Sequence, residues 1–133
     1  QANNINISKT EMGLEAYAKL LGENGREFYI KENSNLQIDI GREKREGDPN
    51  YFNLSDSNTL SKKHAHIFWD YDRQAFFIKN YSKNKIIIDN EELSMNCEPK
   101  KLNHMTLLTI SKIRVYFFLP ANAKRPNPLV QID

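Results

Sequence analysis

Cysteine is almost absent from this 133-residue chain. Cys97 is the only one, so no intrachain disulfide can staple the fold, and the chain suits a reducing compartment. Long apolar runs are missing too. Val115 to Leu119 is the longest and Ile86 to Ile88 is shorter still, far below the roughly 20 residues that span a bilayer, so no membrane attachment is expected. There is no secretory signal: Gln1 to Lys9 is polar and Asn-rich, and reads as the cut end of a longer protein. Charge of one sign is also lacking. A net charge of +2 does not by itself imply nucleic acid. What charge asymmetry exists is local: Lys62, Lys63, Lys83, Lys85, Lys100 and Lys101 fall in adjacent or near-adjacent pairs while the acids are spread out. Such pairs are ordinarily solvated surface, but a positive rim attracts an anion.

The length fits one domain with one core. A hydrophobic content of 39% with 27% charged residues is that of a soluble globular fold. Period-two alternation is the main structural signal. Leu36, Ile38 and Ile40 alternate with Gln37 and Asp39; Ala65, Ile67 and Trp69 with His66 and Phe68; Ile113, Val115, Phe117 and Leu119 with Arg114, Tyr116 and Phe118. Shorter β-rich runs occur at Phe28 to Ile30, Phe76 to Ile78, Ile86 to Ile88 and Leu107 to Ile110. Turn formers separate them at Glu23 to Gly25, Gly47 to Asn50, Asp70 to Asp72, Asn80 to Asn84, and Asp89-Asn90. Ser8 to Glu11 resembles a helix capping box, with Ala16, Leu20 and Leu21 on one helical face. Ala16, Ala18 and Leu20 also alternate with Tyr17 and Lys19, and Leu14 to Leu21 is read as a strand. Residues beyond Pro120 carry Pro126 and Pro128 without periodicity and read as an extended tail. Many short strands argue for an all-β sandwich or barrel, antiparallel or mixed.

The chemically informative residues stand at strand ends and in loops. Gly41-Arg42 follows the strand ending at Ile40, Ser61-Lys62-Lys63-His64 precedes the strand starting at Ala65, and Ser82-Lys83-Asn84 separates two apolar runs. Loops leaving one end of a sandwich can bring such residues together. Arginine offers a planar fork for two phosphate oxygens, serine adds a hydroxyl donor, and asparagine can grip a peptide backbone through its carbonyl and amide. None of these is a nucleophile paired with a base, so the set is suited to holding an anion, and no enzymatic activity is expected. His64 and His66 form a His-x-His with no third ligand at a recognisable spacing, and neither a metal nor a cofactor is expected. Trp69, Phe76 and Phe77 read as core, and Cys97 as inert.

The pattern Ile40-Gly41-Arg42, Leu54-Ser55, and Leu60-Ser61-Lys62-Lys63-His64-Ala65-His66-Ile67, continuing through Asn84 and the run Leu102 to Ile110, resembles the signature of forkhead-associated (FHA) domains. Glu15 to Leu20, Ile67 to Asp72 and Phe118-Leu119-Pro120 bring it nearest to the FHA domains of forkhead-type transcription factors and related plant and fungal nuclear regulators. The resemblance implies an FHA-type β-sandwich of about eleven strands with binding loops at one end. Residues 14–120 would form that domain, with an N-terminal extension at 1–13 and a C-terminal tail at 121–133. It implies recognition of a phosphothreonine peptide, in which Arg42 and Ser61 contact the phosphate and Lys62 assists. Lys83 would flank the peptide and Asn84 would bond its main chain, while Gly41 and His64 support the binding loop and Ser82 and Lys85 stand as accessories. Threonine is favoured in that family because its methyl fills a small apolar pocket. The implied setting is a monomeric module of a larger regulatory protein, nuclear or otherwise cytoplasmic, bound to a phosphothreonine protein and not itself to nucleic acid.

The sequence departs from the family at several glycines. Lys85 follows Asn84 where glycine is usual, so that turn must be strained or differently shaped. Asn90 stands for the glycine of the next hairpin, where it tolerates left-handed geometry, and Met105 and Ser111 stand where glycines are common in the last one. The Lys85 departure leaves open a phosphate-independent module that docks partners through a sheet face. The paired lysines leave open a weak, salt-dependent DNA contact.

Overall fold

The computed structural model describes residues 16–121. Eleven strands follow in chain order: β1 (Ala16–Gly22), β2 (Glu27–Lys31), β3 (Gln37–Gly41), β4 (Tyr51–Asn53), β5 (Ala65–Asp70), β6 (Ala75–Asn80), β7 (Ile86–Ile88), β8 (Glu91–Leu93), β9 (Lys100–Leu102), β10 (Thr106–Ile110) and β11 (Ile113–Phe118). A single 3-10 turn at Glu32–Ser34 joins β2 to β3. The strands form two sheets, one ordered β2-β1-β11-β10-β7-β8 and the other β4-β3-β5-β6-β9. β3 and β4 pair in parallel, so the second sheet is mixed, while the other pairs are antiparallel. This is an all-β sandwich of eleven strands in two sheets.

Alternation becomes burial. In β1 the side chains of Ala16, Ala18 and Leu20 are buried while Tyr17, Lys19 and Leu21 are only partly so, which fixes the ambiguous segment as a strand. Leu20, Ile30, Ile38, Ile40, Ile67 and Phe117 are completely buried between the sheets; each contributes roughly 1.5–3 kcal/mol relative to exposure. Trp69 packs edge-on to Phe76 at 5.0 Å, and Phe76 to Phe117 at 5.7 Å, so three rings tie one sheet to the other. Phe77 is buried as expected. It lies outside the central cluster, stacked on Phe68 and under the Arg73 guanidinium at 4.8 Å. The capping box at Ser8 to Glu11, the extension at 1–13, Leu14, and the tail beyond Ala121 all lie outside the described residues.

The turns resolve the glycine departures. Lys85 is not left-handed; the turn it belongs to takes another shape. In the β7–β8 hairpin the left-handed residue is Asp89 (φ 55°) and not Asn90. Asp89 can hold that geometry because its amide donates to the Leu107 carbonyl at 2.7 Å and its carboxylate accepts from the Leu107 amide at 3.1 Å. Met105 (φ 68°) does occupy a left-handed position. Between β10 and β11 both turn residues, Ser111 (φ 52°) and Lys112 (φ 69°), are left-handed, the geometry of a two-residue type I′ hairpin.

Ser111 and Lys112 carry side chains where glycine or asparagine fits with less strain. Lys112→Gly is therefore expected to stabilise the fold by about 0.5–1 kcal/mol, after allowing for the looser unfolded chain. A thermal-unfolding comparison should show a midpoint raised by about 3–5 °C. An unchanged or lower midpoint would mean that the turn is not strained.

Candidate functional site

β3 ends at Gly41, and the chain leaves the sheet there. A Cβ at this position would collide with the Lys62 carbonyl and the Tyr51 hydroxyl, so only glycine lets the 60–64 loop lie against the end of β3. Tyr51 fastens the contact: its hydroxyl donates to the Lys62 carbonyl at 2.5 Å and accepts from the Glu43 amide at 2.9 Å. Burial pushes the Tyr51 phenol up, so it keeps the proton it donates. The Arg42 amide donates to the Ser61 carbonyl at 3.2 Å, and its guanidinium donates once, to the Leu60 carbonyl at 2.9 Å. The remaining guanidinium donors are left for other uses.

His64 braces the same loop from below. It is completely buried, and its Nδ1 accepts from the Ser61 amide at 3.0 Å. Its own amide donates to the Ile40 carbonyl at 2.7 Å, and its carbonyl accepts from the Tyr81 amide at 3.0 Å. One histidine thus joins the ends of β3 and β6 to the serine loop. Desolvation holds its imidazole below the ordinary value, so the ring stays neutral and Nδ1 remains an acceptor.

The third loop is organised by two buried polar side chains. Asn80 donates from Nδ2 to the Asn84 and Leu93 carbonyls, both at 2.9 Å, and accepts from the Ser82 amide at 2.8 Å. Ser82 Oγ accepts from the Asn84 amide at 3.0 Å and from the Ser61 hydroxyl at 3.4 Å. A turn of this kind needs no left-handed residue, which is why Lys85 is accommodated. The structure therefore brings Arg42, Ser61, Ser82 and Asn84 into one hydrogen-bonded chain across three loops at one end of the sandwich. Lys62 and Lys83 are exposed at that end, with no ion-pair partner among the described residues. Lys63 is engaged elsewhere, over the Tyr81 ring at 4.6 Å and near Asp39 at 3.9 Å. Lys85 pairs with Glu92 at 3.0 Å. His66 contacts Asp39 at 2.8 Å, so the two histidines have separate partners. Among the described residues no group of His, Cys, Asp and Glu is placed to hold a metal ion.

Tyr51 and Asn80 were not singled out from the sequence. Tyr51 sits in a three-residue edge strand among turn formers and carries no periodic signal. Asn80 reads as one more turn residue, although an asparagine in phase with the inward-facing Phe76 and Ile78 of the same strand was a usable cue.

An all-β sandwich with donors from three loops gathered at one end defines a recognition module. A match to the FHA domain model over residues 38–111 makes the assignment specific: this chain belongs to the FHA domain family. It is 28% identical over 133 residues to "Fork head protein homolog 2" of Schizosaccharomyces pombe, covering 93% of this chain and 20% of that protein. It is 30% identical over 109 residues to "Transcriptional activator FHA1" of Nicotiana tabacum, covering 80% and 50%. The chain thus spans half or less of the length of these relatives. The N-terminal FHA domain of S. cerevisiae Rad53p, solved with a phosphothreonine peptide, superposes with a TM-score of 0.61 at 15% identity, covering 80% of this chain and 95% of that one, and shares the fold.

The depressed His64 pKa carries a pH signature. In the unfolded chain the ring titrates near its ordinary value of about 6.5, whereas in the fold it stays neutral to lower pH. The unfolded state therefore binds more protons in that window, so the His64 contribution is complete above about pH 6.5 and is lost as pH falls below it. Denaturant midpoints should fall between pH 7.5 and pH 5.5, and fall less in His64→Asn. An equal fall in both proteins would show that other groups carry the effect.

Proposed function

We propose that this module binds phosphothreonine peptides and so mediates phosphorylation-dependent association of a larger regulatory protein. The observation that carries the reading is the hydrogen-bonded convergence of Arg42, Ser61 and Asn84 through Ser82 and His64. Family membership and the phosphothreonine peptide bound by the Rad53p domain support the ligand class. In this reading the Arg42 guanidinium donates to the phosphate oxygens, and the Ser61 hydroxyl turns from its long 3.4 Å bond to Ser82 to donate to them as well. Lys62 and Lys83 add unpaired positive charge, and the Asn84 side chain bonds the peptide main chain. Gly41 and His64 act through the loop they position, Ser82 links the serine and asparagine loops, and Lys85 adds charge beside them. The module holds its ligand and does no chemistry on it. The names of the relatives, a fork head homolog and a transcriptional activator, support a nuclear setting for the parent protein, with this module contributing protein contacts and not nucleic-acid binding.

Charge-assisted hydrogen bonds contribute about 1.5–3 kcal/mol each, so removing the phosphate or its arginine should weaken binding by about a hundredfold or more. The check is titration of a phosphothreonine peptide library against its unphosphorylated twin. Arg42→Ala is expected to abolish the difference, and Arg42→Lys to leave a small part of it, because the charge survives without the fork. Lys63→Ala should stay within about threefold of the parent, since Lys63 is occupied by Asp39 and Tyr81. Equal binding of the two libraries by the parent would end the reading and favour a phosphate-independent module.

A further inference from the structure

One groove on the binding end is not accounted for by the phosphate contacts. It encloses about 420 Å³ and is lined by Thr59, Asn84, Lys85, Ile87, Thr109, Ser111 and Lys112. Asn84 belongs both to this groove and to the candidate site, so a peptide clamped at Asn84 passes its mouth. The wall opposite Asn84 is the strained β10–β11 turn, tied to the 57–60 loop by the 2.6 Å hydrogen bond between the Thr59 and Ser111 hydroxyls. The lining holds two cations, three hydroxyls and one isoleucine, and no carboxylate.

The two cations differ in state. Lys112 has no ion-pair partner among the described residues, and Lys85 is paired with Glu92 in a bridge whose members are 56% and 59% exposed. Exposed pairs of this kind are weak, and a second anion arriving in the groove can replace Glu92. Lys85 and Ser111 stand at positions where the FHA pattern has glycine. Two of the seven lining residues are thus departures of this chain from that pattern.

We propose that this groove selects an anionic side chain a few residues from the phosphothreonine, held between Lys112 and Lys85 and bonded by the Thr59, Thr109 and Ser111 hydroxyls. The proposal rests on the phosphothreonine reading above and names the class of peptide which that site prefers. A carboxylate and a second phosphate share the required chemistry. A peptide that places arginine or lysine there meets two like charges and is disfavoured.

The test scans each position flanking a fixed phosphothreonine with alanine, lysine, glutamate and phosphoserine, and measures affinity by fluorescence anisotropy. At one position glutamate should exceed alanine by about threefold to fivefold, as expected for a solvent-exposed charge pair, and lysine should fall below alanine. Lys112→Asn keeps a residue tolerant of the left-handed turn. It should erase most of that gain while leaving affinity for the alanine peptide within about twofold. Glu92→Ala frees Lys85 and should enlarge the gain. A gain for phosphoserine alone would restrict the groove to a second phosphate; equal gains would make any anion sufficient, and either result supports the proposal. The absence of any position at which an acid exceeds alanine overturns it, as does an acid preference that both variants leave untouched. Those failures are distinct from failure of the underlying reading, which would appear as equal affinity for the phosphorylated and unphosphorylated alanine peptides and would overturn both.

Discussion

The binding end is organised around a backbone contact that tolerates no side chain, where the Lys62 carbonyl rests against the Cα of Gly41. That contact sets how closely the serine loop approaches the end of β3, and hence how far the Ser61 hydroxyl stands from the Arg42 guanidinium. The Tyr51 hydroxyl bonds both sides of it, to the Lys62 carbonyl and the Glu43 amide, so the arginine and serine loops cannot drift independently. A phosphate needs donors fixed to within a fraction of an ångström, because each misplaced donor loses much of a charge-assisted hydrogen bond. The rigidity is supplied by backbone packing on a strand end. The Arg42 guanidinium commits one donor, to the Leu60 carbonyl, and the Ser61 hydroxyl only the long bond to Ser82.

A second layer fixes the third loop and costs more to build. His64 and Asn80 are completely buried and Ser82 nearly so, and burying such groups is unfavourable unless they are bonded. Asn80 meets that demand with three bonds, and Ser82 with bonds to two loops. His64 meets it only at Nδ1; Nε2 is buried without a partner. Because Nδ1 accepts, the neutral ring carries its proton on Nε2, and that orphaned donor is the residual penalty of using an imidazole as a brace. Among the described residues Trp69 Nε1 is buried without a partner as well, so the core carries two such penalties. The His64 penalty also explains why the brace is sensitive to protonation: a charged ring would lose the one bond that makes it useful and gain none inside the sandwich.

The strands that alternate over five or more residues were legible, because burial on one face leaves a period-two trace in β1, β3, β5 and β11. β4, β8 and β9 were not. Each is three residues long and lies at the edge of a sheet, where one row of neighbours is missing and alternation has no room to develop. At the site, Arg42, Ser61 and Asn84 could be selected because their residue types at strand ends and in loops imply a shared chemistry, whereas Gly41 and His64 were marked by the resemblance to the FHA pattern; the fold gathers all five at one end. Tyr51 and Asn80 act by holding backbone groups, a role for which neither residue type is diagnostic. The left-handed position in the β7–β8 hairpin was misplaced by one residue for a related reason. Asp and Asn both tolerate that geometry, and only the pair of bonds between Asp89 and Leu107 decides between them.

Backbone strain is distributed unevenly between the two parts of the binding end. The Ser82 to Lys85 turn at the candidate site has no left-handed residue, since side-chain bonds from Asn80 and Ser82 do the work that a glycine would do. The β10–β11 turn walling the adjacent groove has two left-handed residues and no glycine, at a cost of roughly 1 kcal/mol or more for each. Strain of that size persists in a marginally stable domain when the surroundings over-determine it. Here the Thr59–Ser111 hydroxyl bond holds the first residue, and nothing comparable holds the second. A lysine at the second position is thus energetically unhelpful to the fold, and what it adds is a charge at the groove with no ion-pair partner among the described residues. Stability alone would favour glycine at Lys112, whereas selection of an acidic ligand requires the cation, and the same substitution therefore separates the two demands.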